Sequence, residues 1–168
     1  MTAARPDAHD AVRELYAACY GRLVGMVALA AGSRAEAEEC VQEAFVRLLG
    51  HWSRVSRYDD PEAWLRQVAF RLLANRMRKA RNGVRALLRH GPPGGIPEPS
   101  ADRVDVAQAL ARLPLGQRQV VVLHYLVGLD VAEVARVLGT ASGTVKSRLA
   151  RAREALAPLL REEGSFHA

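Results

Sequence analysis

Apolar residues recur three and four positions apart along most of this chain, the period of amphipathic helices. In the first such stretch Val12, Leu15, Tyr16, Cys19, Leu23, Met26, Val27 and Ala30 share a face, and Gly32 ends it. Ser33 and Glu36 read as a capping box for a second helix, with Ala37, Cys40, Val41, Ala44, Phe45, Leu48 and Leu49 inside. His51 to Asp60 reads as a polar loop. Asp60 then caps a third helix with Pro61 in its first turn, and Trp64, Leu65, Val68, Ala69 and Leu72 face the core.

The pattern stops at GPPGGIPEPS, Gly91 to Ser100, where proline and glycine at this density exclude helix and strand. It resumes in a short helix on Val106, Ala109, Leu110 and Leu113. Pro114 opens the next, QRQVVVLHYLVG, which Gly128 closes. Its VVVL run has strand propensity, but the flanking helices and the glycine stop favour helix.

The last third is the most specific. Asp130 and Glu133 form a D-x-x-E capping box, with Leu129 and Val134 at the positions of a hydrophobic staple. Val131, Val134, Ala135 and Leu138 make the buried stripe, Gly139 stops the helix, and Ser142 is placed to cap another. There Val145, Leu149, Ala152 and Leu156 share one face, and the opposite face holds Gly143, Lys146, Ser147, Ala150 and Arg151. Arg148 and Arg153 lie on the flanks. Two short helices around a glycine turn, the second small and basic outside, are how a helix-turn-helix offers a recognition helix to the major groove. The fold class is therefore all-α: two small helical domains joined by a flexible Pro/Gly linker, the second a helix-turn-helix. The boundaries fall at residues 1–82, 83–101 and 102–168.

Charge sharpens this picture. The net charge is +6, but it is unevenly spread. From Arg66 to His90 there are eight Lys or Arg residues and no acid; from Glu36 to Glu62 seven acids face three arginines. Separate acidic and basic surfaces suggest two different partners. Cys19 and Cys40 fall on apolar stripes and read as reduced core thiols. No C-x-x-C, phosphate-binding glycine loop or local catalytic grouping occurs, so neither metal, cofactor nor enzymatic activity is expected. No apolar run approaches ~20 residues, which implies a cytoplasmic protein without membrane insertion.

The second helix carries Glu39, Gln42, Glu43 and Val46 outward, an apolar residue in an acidic rim that suits protein docking. The third carries Gln67, Arg71, Asn75 and Arg78 outward, continuing into Lys79 and Arg81, a row suited to a phosphate backbone. Trp52 and Tyr58 in the preceding loop are placed to stack on unpaired bases.

In order, AEAEECVQEAFVRLLGHW, DDPEAWLRQVAFRLLANRMRKAR and LPLGQRQVVVLHYLVGLDVAEVARVLGTASGTVKSRLARAREAL resemble an extracytoplasmic-function (ECF) sigma factor of the sigma-70 superfamily, with regions 2 and 4 only. The resemblance spans about Leu15 to Leu160, and GTVKSRLARARE is its most specific part. It implies a factor that binds core RNA polymerase through the β′ clamp and β flap and directs promoter recognition. Glu39, Gln42, Glu43 and Val46 would dock on the polymerase. Trp52, Tyr58, Trp64, Gln67, Arg71, Asn75 and Arg78 would capture the single-stranded −10 element. Gly143, Thr144, Lys146, Ser147, Arg148, Ala150, Arg151 and Arg153 would meet the −35 duplex. Family members often carry Asn where Arg71 stands, which leaves the −10 preference open. A separate anti-sigma factor is the family's usual regulator. Read from the residues alone, a stand-alone repressor or activator and a protein-binding helical adaptor stay open. The first needs a dimer interface, and no heptad pattern supplies one; the second leaves the basic faces unexplained.

Overall fold

The computed structural model describes residues 7–86 and 101–163. Every regular element among them is helical: α1 (Ala8–Ala31), α2 (Arg34–Val55), α3 (Pro61–Ala86), α4 (Ala101–Ala111), α5 (Leu115–Val121), α6 (Val131–Leu138) and α7 (Ser142–Glu163). They fall into two compact units, one of Met1–Ala28 with Arg34–Pro92, the other of Leu29–Ser33 with Pro93–Ala168. The proline-rich segment Gly91 to Ser100 lies outside the described residues.

In the first unit α2 and α3 form an antiparallel hairpin. Asp60 accepts a bond from the Ala63 N–H at 3.0 Å and so caps α3, with Pro61 at its start. The polar loop expected at His51 to Asp60 is shorter than the sequence suggested, because α2 runs on to Val55. Leu48, Trp52 and Val55 continue the apolar stripe at helical spacing, and Val55 is fully buried. Trp52 is therefore a helical, half-buried residue; Tyr58 stays in the turn and is exposed. The core also takes Phe70, Leu73 and Ala74 of α3, which the stripe through Trp64, Leu65 and Ala69 had not included.

α1 contributes Val12, Cys19, Leu23, Val24 and Val27 to this core. Tyr16, expected inside, and Leu49 of α2 are exposed. By length and composition alone α1 is long and apolar enough to cross a membrane, although the sequence shows no continuous apolar run of that length. Its buried side is the core just described, and Arg13, Glu14 and Arg22 line the exposed side. Arg22 joins α1 to the start of α3 by donating twice to Glu62, at 3.0 and 2.6 Å.

In the second unit α7 packs against α5 and α6. The VVVL run is helical, but from Val122 to Leu126 it widens into a π-helical turn. Gly128, at φ 83°, closes it. Val106 is half-exposed although placed in the core stripe; Leu110 and Leu113 are buried. Arg118 of α5 donates to the carbonyls of Leu110, Ala111 and Leu113 at 2.9, 3.2 and 3.2 Å. These carbonyls lie at the end of α4 and in the turn that follows it, so a guanidinium fastens that turn to α5.

Candidate nucleic-acid and protein interfaces

The helix-turn-helix is built as its residues dictate. The Asp130 carboxylate accepts from the Glu133 N–H at 2.8 Å, and the Asp130 N–H donates to Glu133 at 2.8 Å, a complete capping box. Gly139 sits at φ 63°, where other residues are strained, and ends α6. The Thr140 N–H donates to the Ala135 carbonyl and the Gly139 N–H to the Arg136 carbonyl, which is a Schellman stop. Ser142 is not the cap of α7 but its first residue; the Ala141 carbonyl accepts the Val145 N–H at 3.2 Å. Val131, placed in the buried stripe, is half-buried at the opening of α6.

On α7, Val145, Leu149 and Ala152 are buried, and Gly143, Lys146, Ser147, Ala150 and Arg151 are exposed together. Among the described residues neither Lys146 nor Arg151 is held by a hydrogen bond or ion pair within the protein. Thr144 is half-buried, and its carbonyl accepts the Ser147 hydroxyl at 3.1 Å. The flanking arginines differ. A Cβ on Gly116 would lie 3.1 Å from the Arg148 guanidinium carbon, so Arg148 lies over the first turn of α5 rather than standing free. Arg153 donates to the Tyr125 hydroxyl at 3.2 Å but stays exposed.

On the outer face of α2, Val46 is 67% exposed. It belongs to more than an acidic rim. With Val12, Tyr16, Phe45 and Leu49 it lines an open groove of about 380 Å³ between α1 and α2, whose wall is mostly apolar, with His9, Arg13 and Gln42 also on it. Tyr16 stacks on Tyr20 at 4.4 Å between centroids and meets Phe45 edge-on at 4.9 Å. Gln42 donates to the Tyr20 hydroxyl at 3.3 Å. Sequence periodicity buried Tyr16 and did not consider Tyr20; the aromatic i, i+4 pair on α1 was the available signal.

The acids of this face are engaged within the protein. Arg76 of α3 meets Glu39 at 2.5 Å, Glu43 at 3.3 Å and Glu36 at 3.5 Å. Glu43 also accepts from Arg47 at 2.6 Å. The Arg76 guanidinium is raised above its ordinary value, first by the bond to Glu39, with Cys40, Glu43 and Glu36 adding against its partial burial. Burial pushes the Glu43 carboxyl up, but bonds from Arg47 and Arg76 outweigh it and hold the group below its usual range. Burial also pushes the thiols of Cys19 and Cys40 up to about 11, so neither is a reactive thiolate near neutral pH.

On α3, Arg71, Asn75 and Arg78 are exposed in one row, and Gln67 is half-buried. Arg78 donates to Asn75 at 2.5 Å. Trp64 is half-buried, its ring 5.7 Å from that of His51 on α2 and tilted 38° to it. Trp52 and Tyr58 lie at the α2 end of the same hairpin, though not in one loop.

Residues 5–83 match the family described as Sigma-70 region 2, and residues 103–156 match Sigma-70, region 4. The ECF RNA polymerase sigma factor SigL of Mycobacterium tuberculosis is 37% identical over 142 residues, 79% of this chain and 79% of that protein. The factor SigM of the same species is 35% identical over 150 residues, 88% of this chain and 76% of the relative. Among solved structures, the fold resembles the sigma factor RpoE of Bartonella quintana, crystallised with the anti-sigma factor NepR. The TM-score is 0.70 at 24% identity, over 89% of this chain and 96% of that one.

Proposed function

Since the chain belongs to the extracytoplasmic-function group of sigma-70 factors, we propose how its two units divide the work of an RNA polymerase sigma factor. The protein is a transcription initiation factor that binds core RNA polymerase and directs promoter recognition. The first unit, residues 1–82, docks on the polymerase clamp and captures the −10 strand. The second, residues 102–168, reads the −35 duplex and meets the β flap; the link between them is shorter than the expected 83–101, because α3 runs to Ala86 and α4 starts at Ala101. Catalysis stays with the polymerase, and the factor works in the cytoplasm without membrane insertion. A separate anti-sigma factor is its regulator, as NepR is the partner of RpoE in the similar structure.

The observation that carries this reading is the exposed row Gly143, Lys146, Ser147, Ala150 and Arg151 on a helix seated by a complete helix-turn-helix. Small residues allow close approach, and Lys, Ser and Arg supply donors to base edges. Thr144 supports the helix start, and Arg148 and Arg153 serve the flanking phosphates, Arg148 less directly because it lies on Gly116. For −10 capture we retain Gln67, Arg71, Asn75 and Arg78 as the backbone row, with Tyr58, Trp52 and Trp64 at its base-stacking end. For docking, Val46 and Gln42 join Tyr16 and Leu49 at the apolar groove. Glu39 and Glu43 move to a supporting role, because their carboxylates are committed to Arg76 and Arg47.

Transcription from a promoter library by core polymerase, with and without the purified protein, tests this. RNA from discrete start sites should appear only when both are present. Binding to a duplex operator by the protein alone, with no change in transcription by core, would indicate a repressor instead.

A further inference from the structure

Among the described residues the fully buried stripe of α3 ends before its basic row does. Leu72, Leu73 and Ala74 are its last fully packed residues, while Asn75, Arg78 and Lys79 extend beyond them. At that point Arg76 takes over. It follows Leu72 by four positions and Leu73 by three, so it continues the inward stripe of α3 with a charge. The facing stripe of α2 changes in step: Glu36, Glu39 and Glu43 sit at i, i+3 and i+7 beside buried Ala37, Cys40 and Ala44. One guanidinium thus spans three carboxylates of the neighbouring helix. The other end of α3 is fixed separately, by Arg22 on Glu62.

We infer that Arg76 is a positioning residue for −10 capture: the three α2 carboxylates hold its guanidinium, and through it they fix the outer row of α3 against the docking helix. This rests on the reading of the first unit as both docking and −10 module. The two faces belong to different helices, and the far part of the DNA row, Asn75 and Arg78, lies beyond the last fully buried residues described on α3. A helix end held by hydrogen bonds alone frays. An arginine suits the task because its planar fork bridges two carboxylates at once, which an ammonium does less well. Arg76 itself is only 32% exposed and its donors face α2, so it is not a free phosphate contact.

The test uses holoenzyme assembled with saturating core and a labelled single-stranded oligonucleotide carrying the non-template −10 strand of a promoter mapped for this protein. Arg76→Gln should lower strand affinity roughly 2- to 30-fold, the span of coupling carried by such intermediary residues. Core affinity should hold within about twofold, a split that a purely structural role would not produce. Arg76→Lys, which keeps the charge but not the fork, should recover part of the loss, and it keeps the test open if Arg76→Gln folds poorly. Thermal melting of the free protein is followed for both. Loss of core and strand affinity in proportion to a fall in melting temperature would overturn the inference, as would wild-type strand affinity in both variants. A wild-type holoenzyme that ignores the strand overturns the reading of the unit, and the inference with it.

Discussion

The outer faces of α2 and α7 are both charged, yet their charges are in opposite states. On α7 the central cations, Lys146 and Arg151, are uncommitted among the described residues. On α2 the acids Glu39 and Glu43 are bound to Arg76 and Arg47, and what stands exposed is apolar: Val46 and Leu49, beside Tyr16 of α1, around a groove. A carboxylate paired within its own fold offers a partner fewer open acceptor sites, so binding there would in part replace a contact rather than add one. The difference teaches that α7 should recognise by charge and hydrogen bond, and α2 by apolar fit.

The largest effect is expected where a charge is forced into the apolar face. Val46→Glu should cost about 2–4 kcal/mol in core affinity, because an unpaired carboxylate would be desolvated on docking. The fold should be untouched, since Val46 is exposed. Titration of core polymerase with labelled protein measures it, and an unchanged affinity would move the docking face elsewhere.

Next come the free cations of α7. Replacing Lys146 or Arg151 with Ala should cost ~1–3 kcal/mol at the matched promoter and relax preference at one −35 position. Affinity across a library of −35 variants reads this directly. If neither substitution alters the sequence preference, another face of the unit reads the DNA.

The flanking arginines should separate by a smaller margin. Arg153→Ala should weaken binding evenly across sequences and reduce the salt slope by about one unit, as loss of a phosphate contact does. Arg148→Ala should change the slope less and lower thermal stability instead, because its guanidinium packs over Gly116. Equal slopes for the two variants would sink this distinction.

The helix-turn-helix was legible because its signals are local. Asp130, Glu133 and Gly139 each act within one turn of chain, and each does in the structure what its type and spacing implied. Asp60 and Pro61 were legible for the same reason. What escaped depends on partners distant in sequence. Glu39 and Glu43 looked like a solvated rim because Arg76, 37 and 33 residues away, is invisible to a periodicity argument. Tyr16 fell on the core stripe of α1, yet it opens on the groove that α2 leaves unfilled. Arg148 looked like a phosphate contact until Gly116 made room for it. The end of α2 was misjudged for a simpler reason: polar residues around Trp52 and Val55 masked a stripe that ran one turn further.

The contrast between the two faces is tested most directly by the affinity of Glu39→Gln/Glu43→Gln protein for core polymerase across a range of salt. If these carboxylates serve Arg76 rather than the polymerase, affinity should stay within about threefold of wild type, under 1 kcal/mol as for exposed ion pairs, with the same salt slope. A loss of tenfold or more that deepens as salt is lowered would contradict the account, and would make the acidic rim itself the docking element.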